Sequence, residues 1–343
     1  MKVLILAGGD SSERDVSLHS GEAMCKAVRR LGHEVRALDP ATGQSLLDGG
    51  GHFALAEAAK TDFRSLAVDA AALLRALAAP DLRDVDIVLL ALHGGTGEDG
   101  TIQCLLDLAG VRYTGSGMRA SAIAMDKALT KRLVSTAGVP TPPFALVRAG
   151  QGRSTDEDEA RIRGQFDLPA IVKPNASGST VGLTRLESWD GLPRAIAQAA
   201  QESPEVLIEK YIRGRELTVA VLDGEPLPVV EIRPKKGLYD YEAKYTKGMS
   251  EYLAPAPVPD AVRDRLQAEA AAAYRLLGCE GLVRVDYMMA ADGSCWFLEL
   301  NTLPGMTELS LSPMAARAVG IDFPQLIDRI MSSALKKARR RRG

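Results

Sequence analysis

Val283-Arg284-Val285-Asp286-Tyr287-Met288-Met289-Ala290-Ala291-Asp292-Gly293-Ser294-Cys295-Trp296-Phe297-Leu298-Glu299-Leu300-Asn301-Thr302-Leu303-Pro304-Gly305-Met306 governs how the whole chain is read. Two apolar runs, Leu282–Met289 and Cys295–Leu300, flank Asp292-Gly293, a dipeptide that closes tight hairpins. Residues two apart in a strand share a face, so Arg284 points with Asp286 and Glu299 with Asn301. Pairing through the turn brings two carboxylates, an amide and a guanidinium to one side. Such a side can hold a hard cation beside an anion, which a metal–nucleotide site requires. A hairpin with one solvated polar face fits the same spacing, since antiparallel sheets often keep one wet face. The rest of the chain decides between the two.

With 343 residues, two or three domains with real cores are expected. Hydrophobic residues at 46% and charged residues at 25% describe an ordinary soluble globular protein. A formal net charge of -2 gives no whole-chain case for nucleic acid or membrane partners. Cys25, Cys104, Cys279 and Cys295 are scattered without C-x-x-C spacing, which points away from a disulfide framework or a zinc site. A reduced, cytoplasmic setting fits. The apolar run after Met1 is too short for a signal peptide, and no run is long enough to span a bilayer.

At the N-terminus, Val3–Ala7 reads as a buried parallel strand, Gly8–Arg14 as a loop, Ser17–Leu31 as a helix stopped by Gly32, and Glu34–Leu38 as the next strand. This is a βαβ unit, and such units bind ligands beyond their strands' carboxyl ends, at helix N-termini. The loop lacks G-x-G-x-x-G, which disfavours a dinucleotide. Glu13 in it suits a substrate ammonium, or equally a helix-start carboxylate. Residues 41–84 carry little motif information beyond a helix expected over Val68–Ala79. Asp86–Leu92 is another buried strand, ending in His93-Gly94-Gly95-Thr96-Gly97-Glu98-Asp99-Gly100, with a helix from Thr101 to about Ala109. His93 stands where a ligand would lie, and a hydrogen-bonded structural histidine fits there too.

Met125-Asp126-Lys127 opens a helix that Gly138-Val139-Pro140 ends, and Ala149–Glu159 reads as an exposed loop. Ala170–Pro174 is a short strand carrying Lys173. The small-residue loop Asn175–Gly182 follows, able to bring backbone N–H groups to phosphate oxygens, with a plain hairpin turn as the alternative. Val206–Ile212 and Gly214–Val221 are strands. The polar stretch 234–252, with Tyr239, Tyr241, Tyr245 and Tyr252, is a candidate lid. Asp260–Leu277, Met314–Val319 and Phe323–Leu335 are helices. The basic end, Lys336–Gly343, suits a solubilising tail, with a nucleic-acid or acidic-lipid contact as the alternative.

No Walker loop, G-x-S-x-G, H-E-x-x-H or Asp-Phe-Gly occurs. What remains suggests a triphosphate and Mg²⁺ held between two lobes. The motifs Gly8-Gly9 with Glu13–Ser17, His93-Gly94 with Gly97–Gly100, Tyr113–Gly117, Met125–Lys127, Tyr239–Tyr245, Glu299–Thr307 and Ser310-Leu311 go together. Through them the chain resembles the D-alanine–D-alanine ligases of the ATP-grasp superfamily. The resemblance runs from residue 1 to about 335, is weakest over 41–84, and leaves out the basic tail.

The resemblance implies an α/β protein with an N-terminal Rossmann-like parallel-sheet domain, 1–117, holding the first D-alanine. A two-lobed ATP-grasp fold follows, with a central lobe 118–208, a C-terminal lobe 209–335 and the tail 336–343. It implies ATP-dependent ligation of two D-alanines to D-alanyl-D-alanine for peptidoglycan precursors. The implied cofactors are ATP and two Mg²⁺ (or Mn²⁺). The implied partners are two D-alanine molecules and a second subunit in a homodimer, with no membrane and no nucleic acid. Asp286, Glu299 and Asn301 would hold metal. Lys127, Lys173 and Lys244 would face phosphates, and Glu209 and Glu216 adenine and ribose. Glu13 would pair with the first D-alanine's ammonium, with His93 in the same substrate site. Arg284 and the Gly305 N–H would stabilise the oxyanion, and Ser310 and Leu311 would receive the second D-alanine's carboxylate. Ser179 and Tyr245 would form a relay with Glu13. The implied mechanism is acyl transfer through an acyl phosphate.

Two stretches depart from the family pattern. Asn175-Ala176-Ser177 stands where many members have an arginine or an acidic residue, and 41–84 fits poorly. Rival readings are a depsipeptide ligase using D-lactate, another ATP-grasp ligase with other amino acids, and a non-catalytic nucleotide-binding protein. Relatives of the first kind usually carry histidine in the lid, so Tyr245 favours an amine nucleophile.

Overall fold

A computed structural model of the chain describes residues 1–62, 84–149, 155–178, 181–235 and 249–336, together with Leu66, Asp69 and Ala71. Most of the expected helix over Val68–Ala79, most of the candidate lid and the tail beyond Lys336 lie outside the described residues, as do Ser179, Lys244 and Tyr245.

The apolar run after Met1 forms β1 (Lys2–Leu6), whose residues Val3 to Leu6 are buried. It lies between β2 (Glu34–Leu38) and β3 (Ile87–Leu90), all three parallel. Helix α1 (Arg14–Arg30) starts three residues before the expected Ser17. The reason is non-local: Arg14 is buried against Asp39, Nη2 to Oδ2 at 2.6 Å, so its charge does not mark a solvated loop. Gly8 suits glycine, because its φ is +90° and a β-carbon there would sit 2.8 Å from both Arg14 Nη1 and Asp39 Cγ of the buried ion pair. Short helices α2 (Leu55–Ala58) and α3 (Gly95–Glu98) precede α4 (Thr101–Ala109).

The middle of the chain forms a four-stranded antiparallel sheet, β4-β7-β5-β6, from Phe144–Arg148, Ala170–Pro174, Thr184–Leu186 and Glu205–Lys210 (β4, β5, β6 and β7 in chain order). The expected exposed loop at 149–159 is corrected: α7 (Thr155–Arg163) begins within it. Its apolar signal is sparse, but Ile162, with Phe166 just beyond, packs into the core of this sheet beside α8 (Leu192–Ala199).

The larger sheet contains β8 (Gly214–Leu222), β9 (Glu225–Pro226), β10 (Val230–Pro234), β11 (Ser250–Leu253), β12 (Leu282–Ala290) and β13 (Cys295–Asn301). Its order is β11-β10-β8-β12-β13, with β9 on β8. One face is covered by α5 (Met118–Met125), α6 (Lys127–Thr136) and α9 (Asp260–Leu277). Helices α5 and α6 therefore pack on the large sheet, although they precede the small one in the chain. Leu282, Met306 and Ile327 join the core of the N-terminal sheet, which α11 (Phe323–Lys336) also covers after α10 (Leu311–Arg317).

The opening hairpin pairs as its spacing predicts, Arg284 opposite Asn301 and Asp286 opposite Glu299. Gly293, at φ 81°, closes the turn, with Gly293 N–H donating to Ala290 O at 3.0 Å. One feature is added. The register shifts between Asp286 and Tyr287, leaving Leu298 as an extra residue on β13. This bulge lets Phe297 and Leu300 both enter the core while Glu299 and Asn301 keep the polar face.

Candidate active site

Between the two antiparallel sheets lies a cleft of about 1040 Å³, counted out to its solvent mouth. Its floor is the hairpin. Arg284 donates to both Asp286 oxygens, from Nε and Nη2, each at 2.8 Å. Thr218, opposite Asp286 on β8, donates to Oδ1 at 2.6 Å, and Asn301 Nδ2 to Oδ2 at 3.0 Å. Thr218 has no local sequence signal, because its role exists only through pairing across strands 68 residues apart.

The cationic wall comes from α6 and β5. Lys127 Nζ lies 3.4 Å from Glu299 Oε2 and donates to Ser177 O at 2.5 Å. Asp126 caps α6 by accepting from Leu129 N–H at 2.9 Å. Asn175, fully buried, fastens this helix start to the phosphate-type loop. Its amide donates to Asp126 at 2.8 Å and its Oδ1 accepts from Ala128 N–H at 2.9 Å. The departure at 175–177 thus acts as a structural joint.

Lys173 Nζ lies 2.6 Å from Glu209 Oε1, and Lys131 Nζ lies 2.9 Å from Glu209 Oε2. Burial works against charge on all three groups. At Lys173 the carboxylates of Glu209, Glu299 and Glu216 outweigh burial and hold the ammonium above its usual range. At Glu209 the two lysines likewise outweigh burial and keep the carboxyl below the usual range. At Lys131 burial wins and pushes the ammonium down to about 8. Lys131 also donates to Thr141 Oγ1 at 2.9 Å and Phe297 O at 3.2 Å, linking the two sheets. Sequence reasoning passed over Lys131; the signal available was its i,i+4 spacing from Lys127 on one helix face. Glu209, expected at adenine, directs its carboxylate to these lysines. Glu216 and the apolar side chains of Ile171, Leu183, Ile212, Met288 and Leu298 line the same cleft.

The N-terminal domain meets the cleft's rim through the small-residue loop. Glu13 packs against Gly178 of the small-residue loop, so closely that a β-carbon on Gly178 would overlap its Oε2. Gly94 flanks Glu13 from the other side, and a β-carbon there would lie 2.8 Å from the same oxygen. His93 is buried with both ring nitrogens engaged, Nε2 with Ser20 Oγ at 3.0 Å and Nδ1 with Leu303 O at 2.8 Å. Burial lowers its pKa, so the ring is neutral. Glu98, quoted in a motif but given no role, accepts from Gly94 N–H at 3.1 Å and Leu303 N–H at 3.0 Å. Beyond the hairpin, Ser310 stands at the N-cap of α10 and its Oγ accepts from Thr307 N–H at 3.0 Å. Gly305 lies beside it, and Leu311 reaches the cleft.

The hairpin's donors are hard oxygens, two carboxylates and an amide, which suit Mg²⁺ rather than a softer metal. Among the described residues no three His, Cys, Asp or Glu side chains gather into a metal site. A cation on this face would therefore share its coordination with substrate phosphates, as Mg²⁺ commonly does.

A cleft between two antiparallel sheets, with lysines on one wall and carboxylates on the floor, is the arrangement of an ATP-grasp enzyme. Two family models match: one described as D-ala D-ala ligase N-terminus over residues 2–116, the other as D-ala D-ala ligase C-terminus over residues 133–332. The chain is 43% identical to a D-alanine–D-alanine ligase of Magnetococcus marinus over 98% of both chains. It is 44% identical to one of Gloeobacter violaceus, over 98% of this chain and all of the other. Its structure is similar to that of the Bacillus anthracis D-alanine–D-alanine ligase complexed with ATP, with a TM-score of 0.77, 29% identity and 98% coverage of both. It is also similar to the VanG D-Ala:D-Ser ligase of Enterococcus faecalis, with a TM-score of 0.80, 29% identity, and 97% and 99% coverage. The chain belongs to the D-alanine–D-alanine ligase family.

Proposed function

We propose that the cleft joins two D-alanines through an acyl phosphate, converting ATP to ADP and phosphate, to make the D-alanyl-D-alanine of peptidoglycan precursors. The observation that carries the reading is the contact of Glu13 with Gly178, which sets a carboxylate for a substrate ammonium against the loop that faces the phosphates. With its ammonium on Glu13, the first D-alanine turns its carboxylate toward Lys127 and Lys173. These cations offset the repulsion between that carboxylate and the triphosphate. Asp286, Glu299 and Asn301 would hold Mg²⁺, which would supply further neutralisation of the phosphate charge. The carboxylate oxygen attacks the terminal phosphorus and ADP departs. The second D-alanine's amine then attacks the acyl carbon, and phosphate leaves as the peptide bond forms. Arg284 and the Gly305 N–H stabilise the oxyanion of that addition. Ser310 and Leu311 receive the second carboxylate, and Glu216 takes the ribose. Ser179, Lys244 and Tyr245 enter this scheme on the resemblance alone.

The need for ATP and the free cysteines support a cytoplasmic setting. The resemblance adds a homodimer, which sedimentation velocity measures directly. Phosphate release from ATP is measured with D-alanine, with L-alanine and with no amino acid. Release that depends on D-alanine is expected, and equal rates in all three refute the reading. Adding D-serine or D-lactate in competition fixes the choice of second substrate.

A further inference from the structure

Leu303 is held at both of its backbone polar groups by the N-terminal domain. Its N–H donates to Glu98 Oε1 at 3.0 Å, and its carbonyl meets His93 Nδ1 at 2.8 Å. Three residues on, Met306 N–H donates to Ser20 Oγ at 3.2 Å, and that same hydroxyl meets His93 Nε2 at 3.0 Å. Gly305 lies between these anchors. Glu98 uses its other oxygen on Gly94 N–H, so one buried carboxylate ties the glycine loop beside Glu13 to a loop 205 residues away. Neither Glu98 nor Ser20 lines the nucleotide cleft. A buried carboxylate is costly to keep unless its hydrogen bonds are made, and here both oxygens are used to fix a backbone.

We infer that Glu98, with His93 and Ser20, is a positioning residue that holds the Leu303–Met306 loop, and with it the Gly305 N–H, in register with the first-substrate site. The inference rests on the ligase reading above. Once the acyl phosphate exists, two nucleophiles compete for its carbon. Attack by the second amine yields dipeptide and phosphate. Attack by water breaks the same acyl C–O bond and returns D-alanine and phosphate. Gly305 and Thr307 pack on Ser310, so a loop displaced by a fraction of an ångström also misplaces the second substrate held there, and this slows attack by the positioned amine more than attack by water, which needs no such positioning.

The test compares full-length wild type with Glu98→Gln, measuring phosphate and dipeptide together. Glutamine keeps one acceptor but sets an NH2 group against the second N–H. Dipeptide turnover is expected to fall on the order of 10- to 100-fold, the scale for a small misplacement near the chemistry. Phosphate released per dipeptide is expected to rise above one, with half-saturating ATP little changed. Phosphate and dipeptide remaining one to one in Glu98→Gln overturns the inference, whatever the turnover. If that variant does not fold, Ser20→Ala, which removes only the Met306 anchor and one histidine partner, is read in the same way. A shift in the same direction, smaller in size, supports the inference, and a ratio of one overturns it. Wild type that makes no dipeptide from D-alanine overturns the ligase reading, and the inference with it.

Discussion

Glu209 and Glu98 are both buried carboxylates, yet their proton affinities are shifted in opposite directions. Glu209 stands between two ammonium groups, and their charge outweighs burial, so it stays ionised. Glu98 is met by two backbone N–H groups rather than cations. Burial, reinforced by the nearby Glu13 charge, pushes its carboxyl up to about 7. Equal burial thus gives opposite outcomes, decided by whether the partner is a charge or a dipole. The end of the cleft around Lys131, Lys173 and Glu209 is built from fixed charge, which suits a polyanion. The Leu303–Met306 loop is held by hydrogen bonds to its backbone, which fix geometry.

Arg284 stands where these two regions meet, and removing it gives the largest expected effect. Its guanidinium is committed to Asp286 on the phosphate side, while its charge also lowers the pKa of both Glu98 and His93. Arg284→Ala is expected to lower dipeptide turnover by roughly 10²–10³-fold, the scale for losing one oxyanion donor. Steady-state synthesis at saturating ATP and D-alanine measures it. Near-normal turnover would sink the assignment and remove the division between the two regions.

A smaller effect is expected on the charged side alone. Lys131 is fully buried, and methionine, one atom shorter, fills most of its volume without its charge. In Lys131→Met, Glu209 keeps Lys173 but loses its second cation and its tie to Thr141 and Phe297 on the opposite sheet. Half-saturating ATP is expected to rise by roughly tenfold, the scale of one charge-assisted hydrogen bond. Phosphate and dipeptide should remain one to one, unlike in Glu98→Gln. An unchanged ATP titration would show that Lys173 needs no supported carboxylate.

What the sequence made legible follows a single rule. The converging face of Arg284, Asp286, Glu299 and Asn301 was readable because strand alternation is local, and the buried β1 and β3 runs were readable for the same reason. Lys173 was readable beside its glycine-containing loop, whereas Lys127 was placed with it by the resemblance. The parts that stayed hidden depend on partners distant in the chain. Arg14 needs Asp39, Thr218 needs Asp286, and Glu98 needs Leu303. The bulge at Leu298 and the helix at 155–163 were hidden because each breaks or thins the apolar period that pattern reading relies on.

The smallest effect tests the contrast between the two carboxylates directly, through stability rather than rate. In the folded state burial and the Glu13 charge, opposed by the Leu303 and Gly94 N–H groups and by Arg284, push the Glu98 carboxyl up from its ordinary 4.5 to about 7. Between those values the folded state keeps a proton that the unfolded state has released. Stability attributable to Glu98 therefore falls as pH rises through that window and levels off above it. Glutamine has no such proton, so the melting temperature of Glu98→Gln should gain on wild type between about pH 5 and pH 8. Glu209 has the reverse sign. Its folded pKa lies below the unfolded value, so its stabilisation is present above 4.5 and is lost as pH falls. Glu209→Gln should therefore lose ground to wild type as pH rises out of the acid range. Two melting series that run parallel would show that charge and dipole partners do not separate these carboxylates, whereas series of opposite slope would confirm that they do.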